Sequence, residues 1–149
     1  MLNHRKRETM HKHYIVNEGL GYPHTPRIVT KAWGSEEIIC QQPHACKIMR
    51  LKPGFQVSLH WHRNKTETFI LIEGELIIEG SEQSGGKYIR HLRDKYSSLT
   101  LPIMTPHTFY CPDNQKGETV FVEASTSDDP GDSYRIFPSG RRGETTNSW

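Results

Sequence analysis

Gly54-Phe-Gln-Val-Ser-Leu-His60-Trp-His62-Arg-Asn-Lys65-Thr-Glu67-Thr-Phe-Ile-Leu-Ile-Glu-Gly74 is the stretch on which the reading of this chain turns. A β-strand sends successive side chains to opposite faces, so His60 and His62 point one way and Trp61 the other. Glu67 follows at the entrance to an apolar run. Two imidazoles and a carboxylate aimed at one point make a divalent-metal site with a mixed nitrogen and oxygen ligand set.

Working outward, the chain on either side is a series of short apolar or alternating runs. These predict strands at Ile28–Trp33, Glu37–Gln41, Ala45–Lys52, Gln56–His62, Thr66–Glu73, Leu76–Glu79, Tyr96–Leu101, His107–Cys111, Thr119–Ser125 and Tyr134–Phe137. Turn residues separate them, among them Gly34-Ser35, Pro53-Gly54, Gly74, Ser81–Gly86, Pro102–Pro106 and Pro112–Gly117. Many short strands at this spacing, without a helical period or a longer repeat, indicate an all-β sandwich or barrel. Residues 1–27 read as an irregular lead-in, 28–138 as the β domain, and 139–149 as a polar, loosely held tail to which Trp149 belongs.

Composition sets the remaining bounds. A chain of 149 residues suits one domain with a workable core, although a hydrophobic share of 34% and a mean hydropathy of -0.72 call for polar ends or a polar interior. The formal net charge of +2 selects no partner, and the scattered basic residues offer no nucleic-acid face. Cys40, Cys46 and Cys111 show neither a CxxC spacing nor an even framework, which reads as reduced thiols in a cytoplasmic protein. The charged opening MLNHRKRETMHKH lacks the apolar segment of a secretory signal, and no run is long enough to span a membrane.

Alternation within the strands sorts inner from outer faces. Phe55, Val57, Leu59 and Trp61 fall on one face, turned to a second sheet or a partner subunit. Gln56, Ser58, His60 and His62 fall on the other. In the run VFVEA, Glu123 shares a face with Phe121. A carboxylate there is costly to bury unless it is paired, metal-bound or used with a shifted pKa; the other reading is an edge-strand glutamate facing water.

These residues carry a resemblance. Gly54, His60-x-His62, Glu67 and Gly74 match the first cupin motif at every fixed position, and Pro102-Ile-Met104-Thr-Pro-His107 resembles the second. Met104 stands in the glycine place of that second motif, and Cys111 in its asparagine place. The resemblance covers roughly residues 28–137 and implies a single-domain jelly roll, a double-stranded β-helix. It also implies His60, His62, Glu67 and His107 as ligands to one divalent transition metal ion (Mn, Fe, Co, Ni or Zn). Such a set leaves coordination positions open, as a catalytic site requires, and no cysteine falls at a ligand position.

Three further stretches resemble small phosphomannose-isomerase-like and D-lyxose-isomerase-like cupins. They are Lys31-Ala-Trp33-Gly34-Ser-Glu36, Lys65 between His62 and Glu67, and Glu123-Ala-Ser125-Thr126 followed by acidic residues and Arg135. The resemblance implies a metal-dependent isomerase interconverting an aldose and a ketose, free or phosphorylated, through an enediolate. Its small-molecule partner is then a sugar, and a homodimer is the family expectation. Lys65 and Glu123 are the candidate catalytic groups. Arg135 either orients a substrate hydroxyl or phosphate or pairs with Asp128, Asp129 or Asp132 to pin a loop. Trp33, Phe109 and Tyr110 line the sugar pocket or fill the core, and a phosphate pocket at Lys47, Arg50 and Lys52 is a further reading. His44 and His91 lie outside the motifs. The alternatives are a non-catalytic carbohydrate-binding cupin and a cupin metalloenzyme of another class, an Fe-dependent oxygenase or a lyase.

Overall fold

Period-two patterning and closely spaced turns condense, in the computed structural model, into strands throughout; the structure describes residues 23–144. In chain order the strands are β1 (Arg27–Lys31), β2 (Gly34–Cys40), β3 (His44–Leu51), β4 (Phe55–Gln56), β5 (Leu59–Trp61), β6 (Glu67–Glu73), β7 (Leu76–Ser81), β8 (Lys87–Leu92), β9 (Ser98–Leu101), β10 (His107–Tyr110), β11 (Thr119–Thr126), β12 (Tyr134–Phe137) and β13 (Gly140–Arg141). Among the described residues a single 3-10 turn, Pro130–Asp132, leads into β12. Among the described residues no helix is long and apolar enough to cross a membrane.

One sheet has six strands in the order β1-β2-β3-β11-β6-β9. The other runs β12-β5-β10-β4-β13, with β7 pairing β10 and β8 pairing β7. Neighbours in both are antiparallel, so hairpins and crossovers bring sequence-distant strands together. The inner faces supply the core: Met49 and Leu51 from β3, Phe69 and Leu71 from β6, Leu76 and Ile78 from β7, and Phe109 and Phe121 from β10 and β11. Lys47, Glu67, His107 and Glu123 share those inner faces and are also buried, which places a polar site at one end of the apolar interior.

The predicted strands are recovered with four differences. Gly34-Ser35 is not a break but the start of β2, and Trp33 sits in the two-residue turn where Lys31 faces Gly34. Lys87–Leu92, outside the predicted strands, forms β8 on β7. Gly140–Arg141 of the expected loose tail pairs with β4, and Arg142 lies 3.4 Å over the Tyr110 ring. Trp149 and residues 1–22 lie outside the described residues.

The fourth difference bears on the site. The expected single strand Gln56–His62 is two short strands interrupted at Val57-Ser58. Tyr110 pairs with Gln56, yet His107 pairs with His60, so the register slips by one residue across the interruption. A slip of one reverses the faces. Gln56 therefore does not share the face of His60, and Val57, expected opposite it, lines the same cavity as Ser58 and His60. Trp61 does face away, stacked on Tyr134 at 4.2 Å.

Gly54 and Gly74, the ends of the decisive stretch, adopt φ of 82° and 83°, the left-handed turns that glycine takes without steric cost.

Candidate metal centre and cavity

β5 and β10 set His60 directly opposite His107, with ring centroids 4.5 Å apart, and His62 follows two residues on. One nitrogen from each of the three rings falls within 4.8 Å of the others. Each ring is oriented by its Nδ1. His60 Nδ1 lies 2.8 Å from the Ser58 carbonyl, His62 Nδ1 2.5 Å from that of Asp132, and His107 Nδ1 2.9 Å from that of Thr105. A carbonyl only accepts, so each Nδ1 carries a proton, and in the neutral ring each Nε2 then offers its lone pair. That second-shell arrangement prepares imidazoles as metal ligands.

Glu67, the fourth expected ligand, stands on β6 beside two of these rings. Its Oε1 lies 3.4 Å from His62 Nε2 and its Oε2 3.1 Å from His107 Nε2. Both Nε2 atoms are buried without a hydrogen-bond partner. Lone pairs turned toward a carboxylate in a dry site are unfavourable unless a cation neutralises them, so the residues present fit a divalent ion. Burial, then the neighbouring His107, lowers His60 to about 3 and keeps it a neutral ligand.

Around this centre opens a cavity of about 380 Å³ lined by Trp33, Met49, His60, Glu67, Glu123 and Arg135, among others. Its polar wall is a chain of ion pairs. Lys65 Nζ lies 2.6 Å from Glu123 Oε1, 2.9 Å from Glu67 Oε1 and 3.1 Å from Asp128 Oδ1, with only 4% of the residue exposed. Lys47 Nζ lies 2.8 Å from Asp128 Oδ2 and 3.7 Å from Glu36, which Lys31 meets at 3.0 Å. Strand register explains the cluster: Glu123 faces Lys47 on β3 and Phe69 on β6, two residue pairs from the Ser125–Glu67 position and so on the same face. Glu123 is thus buried and paired, as its apolar neighbours required.

Lys65 does not suit the role of a base. Burial opposes its charge, but Glu123 and Glu67, then Asp128, raise it well above the usual lysine range, so it remains an ammonium. Glu123 is raised by burial and by the charge of Glu67, against Lys65 and Lys47.

No family model matches the sequence, and no curated protein does. Solved structures do match. The capsular polysaccharide assembling protein CapF from Staphylococcus aureus aligns with a TM-score of 0.66 at 21% identity, over 78% of this chain and 35% of its own. Oxalate decarboxylase from Lactobacillus farciminis, in a formate complex, gives 0.66 at 16% over 82% and 38%. A variant of the Bacillus subtilis oxalate decarboxylase gives 0.65 at 16% over 78% and 33%. This chain therefore spans between a third and two fifths of the length of those proteins. The fold is a cupin jelly roll.

Within the cupin barrel the remaining candidates separate. Trp33 is both core and cavity wall, and so is Phe109. Tyr110 leaves the site: its hydroxyl donates to Glu79 at 2.7 Å, and it does not line the cavity. Of Lys47, Arg50 and Lys52 only Lys47 turns inward, and it is taken by carboxylates, so no phosphate pocket forms there. Arg135 lines the cavity opposite His60 and, among the described residues, pairs with no acid. The loop is pinned by Asp132 instead, whose carboxylate accepts from the Arg63 and Asn64 amides at 2.9 Å. His91 bonds Glu75 outside the site, and exposed His44 opens β3.

Sequence reasoning passed over Asp128 and Glu36 as site residues, and the three carbonyls that orient the histidines. The two acids stood within the resembling stretches and were the available signal. Backbone carbonyls leave none.

Met104 explains how the departed second motif still works. It adopts φ 61°, the conformation the motif's glycine would take, and its amide donates to the His62 carbonyl at 2.7 Å. A left-handed non-glycine residue costs roughly 1–2 kcal/mol, and glycine returns roughly 0.5–1 of that through unfolded-chain entropy. Met104→Gly, whose lost side chain is 42% exposed, should therefore raise stability by about 0.5–1 kcal/mol in chemical denaturation.

Proposed function

We propose that this cupin is a metal-dependent isomerase that interconverts an aldose and a ketose. The observation that carries the reading is the buried Lys65–Glu123 pair, which adjoins Glu67 in the same cavity as His60 and His62. A divalent ion held by His60, His62, His107 and Glu67 would supply Lewis acidity toward the substrate's adjacent carbonyl and hydroxyl oxygens.

The protein's own groups account for the proton. Glu123, the one carboxylate there raised above its usual range, is the base that takes the C2 proton of the aldose and returns it to C1. The hydroxyl proton on O2 passes to O1 in the same exchange, so the reaction is an isomerisation without net oxidation. Lys65, fixed as an ammonium, holds Glu123 and Glu67 in position and stabilises negative charge as it develops on the enediolate. Trp33 and Met49 give the sugar an apolar wall. Arg27 and Arg135 also line the cavity and, among the described residues, neither pairs with an acid. Two guanidinium groups left without acids favour a phosphorylated sugar over a free one.

The test is to load the protein with metal, add aldoses and their phosphates in deuterated solvent, and follow deuterium entering C1 or C2. Exchange should occur and should fall by at least about a hundredfold in Glu123→Gln, the size of a lost general base. No exchange with any pentose, hexose or hexose phosphate would point to a carbohydrate-binding role instead.

A further inference from the structure

We propose that Cys40 and Cys46 are a redox modification site that closes to a disulfide across the β2–β3 hairpin. The register carries the inference. A shift between Ile38 and Cys40 leaves Ile38 opposite Lys47 and sets Cys40 directly opposite Cys46. Directly opposed residues of an antiparallel pair have Cα atoms roughly 4.5–5.5 Å apart with both side chains on one face. That range lies within the roughly 4.4–6.8 Å that a disulfide spans, so the pairing puts the two cysteines at a spacing that admits the bond.

Exposure is right for the chemistry. Lys47 and Ala45 turn inward, so Cys46 between them turns to the outer face of the sheet, and both thiols are partly exposed. Cys111 is buried with its Sγ 3.8 Å from the Leu51 carbonyl and serves as an internal control. With hydrogen peroxide as oxidant, one thiolate attacks a peroxide oxygen, giving a sulfenic acid and hydroxide, which takes up the proton the thiol lost and leaves as water. The second thiolate then attacks that sulfur, forming the S–S bond and displacing hydroxide, which the second thiol's proton converts to water. Two thiols are oxidised and one peroxide is reduced.

Burial, the nearby Cys40 and the charge of Glu123 raise the Cys46 thiol. Little thiolate is then present at neutral pH, so closure is slow. A high-pKa leaving thiol equally slows reopening, so the bond persists once made.

Closure would fix the anchor of the Asp128 loop. Gln41, beside Cys40, donates to Asp128 Oδ2 at 3.2 Å and accepts from the Asp128 amide at 3.0 Å, while Lys47, beside Cys46, meets the same carboxylate.

The experiment treats the reduced full-length protein with peroxide, blocks remaining thiols under denaturing conditions, and analyses tryptic peptides. Cys40 and Cys46 fall in one peptide between Lys31 and Lys47. The expected result is loss of two of the three thiols, with that peptide lighter by two hydrogens and Cys111 still free. Cys40→Ser should leave Cys46 blockable and abolish the mass change. Independent oxidation of the two cysteines, a bond to Cys111, or a bond between chains would overturn the proposal.

Discussion

Lys65→Met is expected to destabilise the protein by about 3–5 kcal/mol, the cost of removing one partner from a buried ion cluster. The variant keeps the bulk of the side chain but leaves Glu67, Glu123 and the inner oxygen of Asp128 without the ammonium that lies within 3.1 Å of each. Lys47 still neutralises Asp128, but Glu67 and Glu123 remain diagonal neighbours on one face of the β6–β11 pair. Since small domains are stable by only about 5–15 kcal/mol, the loss should be plain in urea denaturation. Adding Glu123→Gln should recover part of it, because the second change removes one of the stranded charges. A Lys65→Met protein as stable as the parent would mean that the cluster does not form.

His60→Ala with His62→Ala is expected to weaken divalent-metal binding by more than about a hundredfold. Loss of a second-shell partner alone costs about 10–100-fold, and here two ligands go. The β fold should persist, because the apolar cluster built on Phe69, Phe109 and Phe121 makes no use of either imidazole. Metal content by mass spectrometry and far-ultraviolet circular dichroism separate the two effects. Unchanged metal content in a folded variant would contradict the site.

The sequence disclosed the barrel and the ligand set through different physics. Alternation and turn chemistry revealed most strands because burial on one face imposes a period of two. They failed at β8, where the buried Tyr88 and Leu92 are separated by the exposed Ile89, Arg90 and His91 and no period of two shows. The split between β4 and β5 was hidden for another reason. A one-residue slip leaves no mark in composition, yet it moved Val57 into the cavity and Gln56 away from His60. The histidines and Glu67 were legible because metal chemistry restricts residue type and spacing together. The protonation of Lys65 was not legible, since it depends on three carboxylates brought from β6, β11 and the loop after it. Asp128 could be placed only once β11 was seen to end beside the β2–β3 hairpin.

X-ray absorption on the cobalt- or zinc-loaded protein tests the metal centre most directly. The account predicts a first shell of imidazole nitrogens and a carboxylate oxygen at about 2.0–2.2 Å, with the outer-ring scattering that identifies histidine and no sulfur. A shell containing sulfur at about 2.3 Å, or one of oxygen alone without imidazole scattering, would contradict it.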